Sequence, residues 1–197
     1  MSSLHEEEYD FFIKTNNFQT MGVVAKKADL VAKRLIEEFW NSLKIALSNK
    51  LKEELGSGWI VDYSNKFDDR YCKLQAYHES WMENATDRVV AVAFENLHSG
   101  QHPFIGILVN KNSTYYNHSD IRAELHSTGE LISNRTDKND WWFTMRSLDI
   151  NFSTYEDFAE ILPTERATLV DNLINEVIEN AKIIDKYIVD ILGRCRK

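Results

Sequence analysis

Between Val23 and Leu55 apolar residues return at every fourth position. Leu35, Phe39, Leu43, Leu47, Leu51 and Leu55 form the line, and Val31, Ile36 and Trp40 widen it. Such a helix, long and with one broad apolar face, has to lie along a sheet or another long helix. Gly56 stands where a glycine in the left-handed conformation closes a helix. A second stripe runs through Leu169, Leu173, Ile174, Val177, Ile178, Ala181, Ile184, Ile188 and Ile191, with Pro163 suited to its first turn and Gly193 as its stop. Before it, Ser153-Thr-Tyr-Glu156 fits a capping box that opens a short helix ending near Leu162.

The middle of the chain has the period of strands. Trp59–Tyr63 is short and rich in β-formers. Tyr71–Tyr77 alternates, with Tyr71, Lys73, Gln75 and Tyr77 on one face and Cys72, Leu74 and Ala76 on the other. Arg88–Phe94 and Phe104–Val109 read as buried strands, and the Gly100 and Pro103 punctuation between them predicts an antiparallel hairpin. Ser119-Asp120 predicts the cap of a short helix through Ile121 and Leu125, and Asp140–Met145 a further strand. Strands that follow one another without intervening helices favour α+β over a parallel α/β fold. The expectation is an N-terminal arm over residues 1–20 and a single α+β domain over 21–193. That domain packs an antiparallel sheet of four or five strands with a long N-terminal and a long C-terminal helix.

Composition narrows the function classes. The 197 residues carry 31 acidic against 23 basic side chains, a net charge of −8, and no basic stripe. Such a chain repels phosphate backbones, so direct nucleic-acid binding is not expected. The N-terminus lacks the basic and apolar regions of a secretory signal, and no run approaches a membrane span, so the expected location is the cytoplasm, away from membranes. Two cysteines exclude both a disulfide framework and a cysteine-rich zinc site.

Tests for chemistry return little. Gly56-Ser-Gly58 follows a helix instead of a strand, so it reads as a helix stop and not a phosphate loop. No G-x-S-x-G elbow is present. His98 and His102 have a ligand-like spacing but lie on a loop, and Glu95 ends a buried strand without a lysine near it in sequence. These three are the weak metal candidates, and no cofactor is expected. Asp68-Asp69-Arg70 reads as turn chemistry. The aromatics are more prominent. Trp141-Trp142-Phe143 alternates across a strand, so one tryptophan belongs to the core while its neighbour meets a helix, a partner or a base. With Trp81, Tyr115 and Tyr116 these tryptophans form the expected partner-binding set, and exposed aromatics on an acidic chain favour a protein partner.

The order of elements carries a resemblance. A long helix with Glu37-Glu38-Phe39-Trp40 leads to the Gly-x-Gly-Trp-Ile-Val segment at 56–61, then to apolar strands, Trp141-Trp142, a short capped helix and an Ile-rich final helix. Over about residues 30–190 this resembles the accessory carboxy-terminal region that follows PD-(D/E)xK nuclease cores in phage and mobile-element proteins. The nuclease motif itself is missing, because no glutamate has a lysine two residues later. The resemblance therefore implies an accessory domain without its nuclease, and it transfers no catalytic residue.

The leading expectation is a non-catalytic protein-interaction module, an accessory, regulatory or inhibitory subunit of the kind met in phage and defence systems. A metal-dependent nuclease or hydrolase with an atypical site around Asp62, Asp68, Glu95 and His98 or His102 is the alternative from a different class. A homodimer built on one long helix is the third.

Overall fold

A computed structural model describes residues 15–67, 69–98, 101–131, 141–152 and 157–197. The expected arm as far as residue 14, Asp68, Gly100 and the capping box at 153–156 lie outside the described residues. Three α-helices and five strands make up the described fold: α1 (Thr15–Leu55), β1 (Trp59–Tyr63), β2 (Leu74–His78), β3 (Val90–Glu95), β4 (Phe104–Val109), α2 (His118–Ser127), β5 (Trp142–Ser147) and α3 (Ala167–Arg194).

The sheet is an antiparallel meander, so each strand pairs with its neighbour in sequence, in the order β1-β2-β3-β4-β5. One face is the floor of the main core. Val61, Leu74, Ala76, Val90, Val92, Phe94, Ile105 and Ile107 point into it and are buried. Both long helices cover that face, α1 through Ile36, Phe39, Leu43 and Leu47, and α3 through Val177, Ala181, Ile184 and Ile188. The strict spacing of these residues along each helix is what turns a single stripe toward the sheet. Trp40 occupies the centre, 5.5 Å from the Phe94 ring and 6.1 Å from Phe152, and its indole N–H donates to the Leu97 carbonyl at 3.1 Å. The architecture is α+β in two layers. None of the described helices is long and apolar enough to cross a membrane.

Several boundaries differ from the sequence expectation. Helix α1 begins at Thr15 and not Val23, so it takes in part of the expected arm. Strand β2 begins only at Leu74, because Asp69 turns the chain: its carboxylate accepts from Tyr71 N–H and its carbonyl from Cys72 N–H, each at 2.9 Å. Tyr71 is consequently exposed and Cys72 is buried outside the strand. Asn117, not Ser119, caps α2, accepting from the Ser119 N–H. Residues 163–166 form a turn, and α3 starts at Ala167 and runs through Gly193 to Arg194.

Candidate functional site

Among the described residues no helix covers the other face of the sheet, which holds a cleft of about 680 Å³. The pairing register dictates what meets there. Asp62, Gln75, Ala93, Gly106 and Met145 make one row across all five strands, and Ala91, Leu108 and Trp142 a second. Ala93, Leu108 and Trp142 form a small apolar cluster of their own, with Phe104, Trp141 and Met145 packed against it. Small side chains on β3 and β4 keep the floor low. Gly106 has no alternative: a Cβ there would stand 2.1 Å from the Thr144 carbonyl oxygen and 2.9 Å from the Trp142 ring.

Polar groups converge on the opposite wall. Lys73 Nζ lies 3.4 Å from Glu95 Oε2, an ion pair between the entry of β2 and the end of β3. The lysine that sequence spacing denies to Glu95 is therefore supplied across the sheet. A tight turn brings in Glu83, Asp87 and Arg88: Asn84 Oδ1 accepts from the N–H groups of Thr86 and Asp87, and Glu83 N–H donates to the Asp87 carbonyl. Asx turns of this kind explain why Asn84 begins the bend. Glu83 Oε1 in turn accepts from the Thr114 hydroxyl at 2.7 Å and from the N–H groups of Thr114 and Tyr115. Burial pushes the Glu83 carboxyl up, but these hydrogen bonds, with one from Ser113, outweigh it and hold the group below its ordinary value.

The floor of this cleft contains an anomaly. Gln75 is fully buried, and neither its Oε1 nor its Nε2 has a hydrogen-bond partner. Around it, Asp62 Oδ1, Glu83 Oε2 and Arg88 Nε are also buried and without hydrogen bonds. Native proteins pair the large majority of such atoms, so five of them on one surface call for an explanation. The remaining contacts of these residues fix their positions. Asp62 Oδ2 accepts from the Tyr77 hydroxyl at 3.0 Å, and the Arg88 guanidinium lies 5.8 Å over the Tyr77 ring. Burial, reinforced by the neighbouring Asp62 carboxylate, pushes the Tyr77 hydroxyl up to about 12. Three lining carboxylates (Glu83, Asp87 and Glu95) face two lining cations (Lys73 and Arg88), and just beyond the lining Asp62, opposite Gln75, is matched by Lys111 over Trp141, which leaves a negative excess of one.

The expected partner-binding set is divided by the fold. Trp141 and Trp142 both line the cleft. Trp142 is almost wholly buried and edge-on to Phe104 at 5.0 Å, while Trp141 is half-buried, with Lys111 Nζ 5.5 Å over its ring. Tyr115 is exposed next to Thr114 at the rim, and Tyr116 is half-buried beside it. Trp81 is elsewhere, wholly inside the core, edge-on to Trp59 at 5.0 Å, and has no surface to offer a partner. The three metal candidates do not converge. Glu95 is held by Lys73, His102 is exposed, and His98 Nε2 donates to the Asp69 carbonyl at 2.9 Å while its ring lies against Phe67. Among the described residues no three His, Cys, Asp or Glu side chains are grouped as a metal site.

Gln75, Glu83 and Arg88 escape a sequence search for chemistry, because they belong to no motif. The one signal was alternation, which put Lys73, Gln75 and Tyr77 on a common face of a strand whose other face is core. Compared with models of known families, with curated proteins and with solved structures, the chain matches none.

Proposed function

We propose that the protein is a non-catalytic interaction module, an accessory or regulatory subunit that holds another protein in the cleft on its uncovered sheet face. The observation that carries this reading is the set of buried polar atoms without hydrogen bonds at Asp62, Gln75, Glu83 and Arg88, beside the apolar floor of Leu108 and Trp142. An apolar floor with a few convergent polar groups is the usual composition of a binding surface, and the unpaired groups are the part that a bound partner completes. The accessory role accords with the resemblance over residues 30–190.

The test is capture of the partner from native-host lysate with the cleft open or obstructed. Asn112 is an exposed residue on the cleft wall, and Asn112→Trp fills the opening. Lys52→Trp places the same bulk on an exposed position of α1, against the other face. A stoichiometric protein that survives nuclease treatment, binds the Lys52 variant and is lost by the Asn112 variant supports the reading. Retention by both variants overturns it.

A second reading rests on a separate surface. The N-terminal half of α1 exposes Val23, Val24, Leu30 and Val31, each more than half accessible, beside a shallow apolar groove that includes Ala28, Leu35 and Phe158. In this reading the stripe pairs with a second copy about a two-fold axis. Light scattering then gives twice the chain mass, and Val24→Glu with Val31→Glu returns it to one; a single-chain mass for the unaltered protein removes the reading.

A further inference from the structure

The unpaired atoms in the cleft also have a composition. Acceptors predominate: Gln75 Oε1, Asp62 Oδ1 and Glu83 Oε2, two of them on carboxylates, against Gln75 Nε2 and Arg88 Nε as donors. The surrounding charge is negative in excess. A ligand that satisfies this set brings several N–H donors, a positive charge and at least one acceptor. Beside the acceptors lies an apolar floor with the Trp142 ring above Gly106, which suits a flat group over a tetrahedral one.

We propose that the cleft is an arginine-binding site, taking a guanidinium presented on a segment of the partner protein, with a main-chain carbonyl of that segment meeting the donors of Gln75 and Arg88. The inference rests on the interaction reading above and names the chemistry of its partner. Guanidinium carries five planar, fixed donors, enough to engage an amide oxygen and two carboxylates together while presenting a face to an aromatic ring, where histidinium has only two. Lysine lacks the plane, and a free small guanidine lacks the carbonyl. Phosphate-bearing ligands are disfavoured by the carboxylates. In the unliganded protein no solvent reaches Gln75, so entry of the arginine swings the cleft-wall side chains aside.

Gln75 itself makes the idea testable in two independent ways. A buried amide with no partner stabilises nothing in the free protein, and replacing it by an unbranched apolar side chain of similar length removes the desolvation cost. Gln75→Met is therefore expected to unfold about 2–4 °C higher than the unaltered protein. An amide that instead served the fold gives a lower transition, and that result overturns the proposal.

The binding arm uses the full chain and three blocked tripeptides, Ac-Gly-Arg-Gly-NH2, its lysine counterpart and its citrulline counterpart, followed by amide chemical shifts. Citrulline keeps the shape and one N–H plane but no charge. The expected result is saturable shifts at Ala93, Leu108 and Thr114 with the arginine peptide, at least tenfold weaker binding of the other two, and loss of binding in Gln75→Met. Equal binding of the lysine or citrulline peptide, no shifts with arginine, or undiminished binding by Gln75→Met overturns it. Should arginine fail while Asn112→Trp still loses the protein partner, the guanidinium chemistry falls and the interaction module stands. Should Asn112→Trp keep its partner, both fall.

Discussion

Trp81 Nε1 donates to Asp185 Oδ1 across 3.1 Å, and this one bond joins the short turn after β2 to the middle of α3. The ring is wholly buried while the carboxylate that receives its proton is exposed. Asp185→Ala should leave the indole N–H buried without a partner and cost about 1–3 kcal/mol, the penalty for an orphaned donor. Asp185→Asn retains an acceptor and should cost less. Urea unfolding of the two variants beside the unaltered protein checks this: three equal midpoints would mean that the bond contributes nothing.

Gly106→Ala tests how closely β4 and β5 approach. The added methyl would meet a backbone carbonyl, which cannot swing away as a flexible side chain does. The two strands must separate, at about 1–3 kcal/mol for an overpacked site. Because Trp142 lies over the same position, its fluorescence should change with the stability.

Glu83 gives the molecule an acid limit in one loop. Its native carboxyl titrates below the ordinary carboxylate value. The sign follows: the hydrogen bonds to Thr114 and Tyr115 contribute fully above about pH 4.3, the usual range for an unfolded glutamate, and are lost as pH falls through the lower native value. Amide shifts of Thr114 and Tyr115 between pH 6 and 2 should report that step, and Glu83→Gln should flatten it.

At the alkaline end Tyr77 sets a second limit. Its hydroxyl is neutral in the native state up to about 12. Stability is therefore complete below about pH 10, where an unfolded tyrosine begins to ionise, and declines as pH rises toward the native value. Absorbance at the phenolate band should place the transition, and Asp62→Asn should lower it partway, since burial is the larger cause and remains.

The helices were legible because their apolar spacing records a face that is buried along most of their length. The start of α1 was not, because the buried stripe fades toward it: Val23, Val24 and Leu30, at the near end of the expected helix, are already exposed. Strand β1 was legible from its β-formers, and β4 from a short apolar run that the fold buries on both faces. The early start assigned to β2 came from Tyr71 and Cys72, which alternate like a strand but serve the Asp69 turn. In the cleft, Lys73 and Glu95 became partners only through the register of β2 on β3, a relationship no local window contains. Trp81 looked like a surface aromatic because nothing in its neighbourhood announces a short turn folded inward.

Because the meander pairs every strand with its neighbour in sequence, the sheet is complete as soon as β5 has been made. Its inner face still lacks the cover of α3, which lies later in the chain than β5. Until α3 packs, Ala76, Val90 and Val92 form a flat apolar surface on a nascent chain. Chains interrupted between β5 and α3 should self-associate or occupy a chaperone, because that apolar face is left open.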